Sequence, residues 1–145
     1  MANDNLVPAA ENAQVARTLL TWLNTYPAKP MPIAYEFLGD TDGIMLSVIQ
    51  SAYKTRKYID GSYQAQIQFK VVRRVVASTN AERIQADEEL DALGEWAETA
   101  ERPTIGDNIA VESIQRNTAS SLYARYDGGV SDHQILFTMI YEVMK

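Results

Sequence analysis

The sequence predicts an α+β fold: a mainly antiparallel sheet with two principal helices packed on one face, in the order helix–strands–helix–strands. Three observations predict it. From Tyr63 to Val71 apolar and polar residues alternate without error, and in Gln134 to Val143 the residues Ile135, Phe137, Met139, Tyr141 and Val143 fall on alternate positions, the mark of half-buried strands. Two segments, Ala9 to Tyr26 and the stretch between Ser78 and Pro103, carry helical periodicity instead. The links between strands are short and hairpin-like, which favours antiparallel pairing over crossovers.

The chain reads as one domain of 145 residues, with a loose start over residues 1–8. In the first helix Ala16, Leu19, Leu20, Leu23 and Tyr26 share a stripe, widened by Val15 and Trp22. Its far side (Gln14, Arg17, Thr18, Thr21) is polar but poor in charge. Pro27 ends it, and Pro30 and Pro32 keep the next segment extended.

Ile33 to Leu38 is the first strand candidate, and Gly39-Asp40-Thr41-Asp42-Gly43 has turn composition. Ile44 to Tyr53 is apolar on both faces and reads as a central strand. Lys54 to Ser62 reads as a basic loop ending in a turn. The Tyr63 strand then runs on toward Val76.

Thr79 and Glu82 form a capping box for the second helix, each side chain accepting a backbone N–H. Ala86, Leu90, Leu93 and Ala97 face inward, and Glu88, Asp91, Glu95 and Glu98 face water. Ile109 to Gln115 is a weaker strand and Gln134 to Val143 a strong one. Leu122 to Tyr126 forms part of a further strand before the turn at Asp127-Gly128-Gly129.

Composition narrows the function classes. The net charge of −6 argues against a general nucleic-acid surface. No cysteine is present, which excludes disulfides, thiolate chemistry and cysteine zinc sites. No apolar run approaches the roughly 18 residues of a spanning helix, and no secretory signal opens the chain.

The motifs that carry chemistry elsewhere do not assemble here. His133, the single histidine, reads as a surface residue at the start of a strand. Asp132 beside it would point to the opposite face, and no spacing links His133 to Ser120 or Ser121. Asp40 to Gly43 lacks the calcium-loop pattern and reads as a turn. Eight carboxylates between Glu82 and Glu101 read as a solvated helix face, with a basic partner as the alternative. No phosphate-cradling glycine loop appears. No catalytic residue, cofactor-binding residue or metal ligand is predicted, and the chain is read as a non-enzyme.

Surfaces remain. Lys54, Arg56, Lys57 and Tyr58 form a basic–aromatic cluster suited to a protein contact, to nucleic acid or simply to water. Gln64, Gln66 and Gln68 give the Tyr63 strand an outer face with almost no charge. These seven residues are the candidate contact residues.

This layout resembles the tail-terminator and minor-capsid proteins of long-tailed bacteriophages. The likeness rests on a helix ending Leu19-Leu20-Thr21-Trp22-Leu23, a Pro-rich link and a two-strand unit centred on Ala65-Gln66-Ile67-Gln68-Phe69. A helix with Leu90-Asp91-Ala92-Leu93 and the closing strand from Gln134 to Val143 complete it. The resemblance implies a homo-hexameric ring on the head-proximal end of the tail tube, assembled in the host cytoplasm and carried in the virion. It implies contacts with the tail-tube protein and a head-completion protein, with DNA as passing cargo and no membrane. Ring contacts need two different faces, and the charge-poor backs of the first helix and of the Gln64 strand are candidates. A head–tail connector, minor capsid protein or tail-tube subunit is the nearest alternative. A small enzyme or ligand-binding α+β domain is the alternative from another class.

Overall fold

The computed structural model describes residues 3–145. Met1 and Ala2, the first part of the segment expected to be loose, lie outside the described residues. The order is α1 (Ala9–Leu23), β1 (Ala34–Tyr35), β2 (Gly43–Lys57), β3 (Tyr63–Val76), α2 (Asn80–Thr99), β4 (Ile109–Arg116), β5 (Ser121–Arg125) and β6 (Val130–Val143). A short 3-10 turn at Asp127–Gly129 leads into β6. The α+β class and the placing of both helices on one face are as the sequence predicts.

The sheet has six strands in the order β1-β2-β3-β6-β4, and β5 also pairs with β6. Every pairing is antiparallel except β1 with β2. β3 and β6 pair without a bulge from Tyr63 opposite Val143 to Val76 opposite Val130. The odd-numbered side chains of both strands therefore share one face. Ala65, Ile67, Phe69, Val71, Ile135, Phe137, Met139 and Tyr141 are buried there. Phe69 and Phe137 stand opposite each other with ring centroids 5.0 Å apart.

Both helices cover this face. α1 contributes Val15, Leu19, Trp22 and Leu23, and Ala16 and Leu20 sit at its flank, only part-buried. The stripe is thus turned slightly from the one periodicity predicts. The phenols of Tyr63 and Tyr141 both donate to Glu11 at the start of α1. α2 contributes Ala86, Leu90, Leu93, Gly94 and Ala97. Trp22 stacks on Trp96 with centroids 4.8 Å apart, which joins the two helices.

Four local expectations are corrected. The strand expected over Ile33 to Leu38 shrinks to two residues because Glu36 adopts φ 52°, a left-handed conformation that ends an extended run. Before it, the Ile33 N–H is taken by the Asn24 side chain, 2.8 Å away. β2 runs to Lys57, so most of the expected basic loop is strand, and only Tyr58 to Ser62 turns. Gly61, at φ 91°, supplies the conformation that turn requires. At the capping box, Thr79 Oγ1 accepts the Glu82 N–H at 3.2 Å, but the Glu82 carboxylate takes the Ser78 and Thr79 hydroxyls rather than a backbone N–H. Finally, within the segment expected to be loose, Leu6 bridges Tyr53 and Asn5 O accepts Lys54 N at 2.7 Å.

Candidate interaction surface

With both helices on the odd-numbered face, the other face of the sheet carries no helix. β3 presents Gln64, Gln66, Gln68 and Lys70 there. In register on β6 lie Glu142, Ile140, Thr138 and Leu136, and on β2 lie Arg56, Tyr53, Gln50 and Ser47. Strand alternation dictates this. The residues that sequence pattern assigned to the outer row are the outer row. All of the β3 and β6 members are partly exposed.

The centre of this face is uncharged, and Gln64 and Gln66 have partners. Gln66 Nε2 donates to the Tyr53 hydroxyl at 3.0 Å, and Gln64 Nε2 to Glu112 at 3.0 Å. Charge gathers at the two ends. Near the β2–β3 turn stand Glu112 and Glu142, whose hydrogen bond to each other pushes the Glu112 carboxyl above its usual range, with Arg56 nearby pulling against it. Toward the other end Lys70 rests on the Tyr123 ring, 4.6 Å from its centroid. Beyond it Arg74 makes a two-pronged pair with Asp132, at 2.7 and 2.8 Å, and lies 5.0 Å from the Tyr126 ring. The hydrogen bond to Asp132 holds the Arg74 guanidinium firmly protonated.

The basic cluster does not form one patch. Lys54 lies over the Tyr63 ring, 4.6 Å from its centroid, on the helix-bearing side. Arg56 pairs with Gln64 on the opposite side. Lys57 and Tyr58 stand at the strand end beside Ile59, which is fully exposed. Because the segment is strand rather than loop, alternation splits its charges between faces.

His133 is not at the surface: it is 1% exposed. Its Nδ1 lies 2.8 Å from Asp87 Oδ1 and its Nε2 lies 3.1 Å from Ser131 Oγ. A carboxylate oxygen accepts, so Nδ1 carries the proton and, in the neutral ring, Nε2 accepts from the serine. The order Ser–His–Asp is that of a nucleophilic triad. A nucleophile must touch its substrate, however, and Ser131 is 3% exposed. Asp87 also takes the Ser120 hydroxyl at 2.7 Å, so the group joins α2, β6 and the β4–β5 link.

The helix carboxylates are similarly engaged. Glu89 binds Arg73, Asp91 accepts the Ser120 N–H, and Glu98 binds Arg116. Of the four expected to face water, Glu88 and Glu95 are exposed and Asp91 and Glu98 only partly so. At the Asp40–Gly43 turn Arg73 reaches Asp42 at 2.5 Å, which places a guanidinium where a calcium loop would direct oxygens to a cation. Among the described residues no group of three or more His, Asp or Glu is placed to hold a metal ion, and no helix is long and apolar enough to cross a membrane.

Sequence reasoning missed the partners of His133, Arg73 and Arg74. Each joins elements far apart in the chain, and no local spacing signals it. No protein-family model and no curated protein matches the chain.

Proposed function

We propose that the chain is a non-enzymatic assembly protein of a phage virion, a tail terminator whose ring caps the head-proximal end of the tail tube. The observation that carries this reading is the helix-free sheet face, uncharged at its centre, which suits a protein partner better than a small ligand. The order of elements and the terminal strand of the family it resembles support the same reading. Capping would work by binding the growing end and substituting a contact that cannot extend. The partners would be further copies of the chain, the tube protein and a head-completion protein, with DNA crossing the lumen. The acidic balance suits a channel that does not grip phosphates.

Electron microscopy of the protein mixed with purified tails tests it. Rings at one end of the tube, and tubes of defined length, are the expected result. Helical tubes built by this chain alone would assign it as a tube subunit instead. Arg56→Glu with Lys57→Glu is expected to fold normally yet impair joining. Unchanged joining would remove the β2–β3 turn from the contact.

One observation favours an enzyme: the Ser131–His133–Asp87 order. Labelling by a serine-directed fluorophosphonate under native conditions would support that reading.

A further inference from the structure

The charges on the helix-free face are not placed evenly, and their arrangement selects an occupant. One end holds two carboxyl groups side by side, Glu112 and Glu142. Arg56 offsets part of that charge, and Lys57 and Asp60 share the Glu142 end. Lys70 lies six residues along β3 from Gln64, the residue that pairs with Glu142 and binds Glu112. At roughly 3.3 Å per residue this is ~20 Å. Lys70 has an aromatic ring beneath it and, among the described residues, lies outside the ion pairs. Arg74, further on, is already paired with Asp132. Between the ends lie Gln66, Gln68, Thr138 and Ile140, free of charge.

Such a face is complementary to itself. A two-fold axis in the plane of the interface, crossing β3 at the level of Gln66 and Gln68, turns the face over and reverses its strands. Lys70 of one copy then meets the Glu112–Glu142 end of the other, and the same contact repeats at the opposite end. Two sheets packed in this way lie ~10 Å apart, within reach of a lysine and a glutamate extended toward each other. An incoming ammonium favours the ionised form of both carboxyl groups.

We infer that this face is a dimer interface on which a second copy of the same chain packs sheet against sheet, locked by reciprocal Lys70 to Glu112–Glu142 contacts. The inference stands apart from the tail reading. If that reading is right, pairing keeps the face covered until a tail end displaces the second copy.

The test is sedimentation of the purified full chain over a concentration series, at low and high salt. A monomer–dimer equilibrium weakened by salt is expected. Lys70→Glu should raise the dissociation constant at least about tenfold, and so should Glu112→Lys with Glu142→Lys. Mixing the Lys70→Glu chain with the double-lysine chain makes both end contacts attractive again and should give a mixed dimer. Thr138→Arg, at the centre, should abolish pairing while the circular dichroism stays native. A chain that is monomeric at every concentration, or an oligomer of any size indifferent to Lys70→Glu and Thr138→Arg, would overturn the inference. A monomer whose Lys70→Glu variant loses only tail-end capping would also overturn it, and would give the face to the tail partner.

Discussion

His133 Nδ1 and Asp87 Oδ1 stand 2.8 Å apart across 46 residues of sequence, and this contact ties the sheet to the middle of α2. Asp87 also receives the Ser120 hydroxyl, so one carboxylate holds a strand and a loop. Asp87→Ala leaves a buried imidazole N–H without an acceptor and frees the loop. Unfolding in urea should show a loss of about 1–3 kcal/mol. Asp87→Asn, which keeps one acceptor oxygen, should lose less. Ser131 should resist serine-directed probes in both the native chain and the Asp87→Asn variant, because its burial does not depend on the charge.

Arg74 and Asp132 form a second cross-strand anchor, with Asp132 2% exposed and the Tyr126 hydroxyl on the same carboxylate at 3.0 Å. Breaking such a pair from one side strands a buried charge. Arg74→Met should therefore destabilise by about 3–5 kcal/mol. Arg74→Met with Asp132→Leu should recover most of that loss, which a double-mutant cycle measures directly.

Two carboxyl groups give opposite pH dependences. The Arg116 backbone N–H, with the Arg116 side chain, holds Glu98 below the usual carboxylate range. Its contribution is present above the unfolded-state value and is lost as pH falls through the lower folded one. Glu98→Gln should lower stability at neutral pH and make little difference in strong acid. Glu112, raised by its hydrogen bond to Glu142, favours the protonated form in the fold, so its effect costs stability as pH rises. Glu112→Gln should raise the melting temperature at neutral pH, measured in dilution low enough to keep copies apart.

Gly94 sets how closely α2 approaches the sheet. A Cβ there would lie 2.6 Å from Arg116 Cδ and 2.7 Å from Ile135 Cδ1. Alanine gains about 1 kcal/mol of helix propensity, but overpacking costs about 1–3 kcal/mol. Arg116 is held by Glu98 at 2.7 Å and Ile135 is fully buried, so neither neighbour yields easily. A net loss near ~1 kcal/mol on Gly94→Ala is expected in urea unfolding.

The strands and the α2 stripe were legible because their signal is periodic: Tyr63 to Val71 and Ala86 to Ala97 carry their facing in their spacing. The helix-free face was half legible, since alternation names Gln64, Gln66 and Gln68 but not what stands beside them. What could not be read depends on register between distant strands. Register puts Arg73 beside His133, within reach of Glu89 on α2, and brings Glu112 to Glu142. Likewise β1 looked long because Tyr35 and Phe37 alternate correctly, and only the positive φ at Glu36 stops it.

β4 and β5 touch the rest of the sheet only through β6. Until Val130–Val143 is in place, β1–β2–β3 is one fragment, and β4 and β5 have no strand to join. The β2–β3 hairpin can form early from its own turn, but β3 keeps an open apolar edge until a partner at least 54 positions downstream arrives, from Val76 to Val130. Such non-local closure is slow. During synthesis the exposed β3 edge is the point where a chaperone, or another nascent chain, would first take hold.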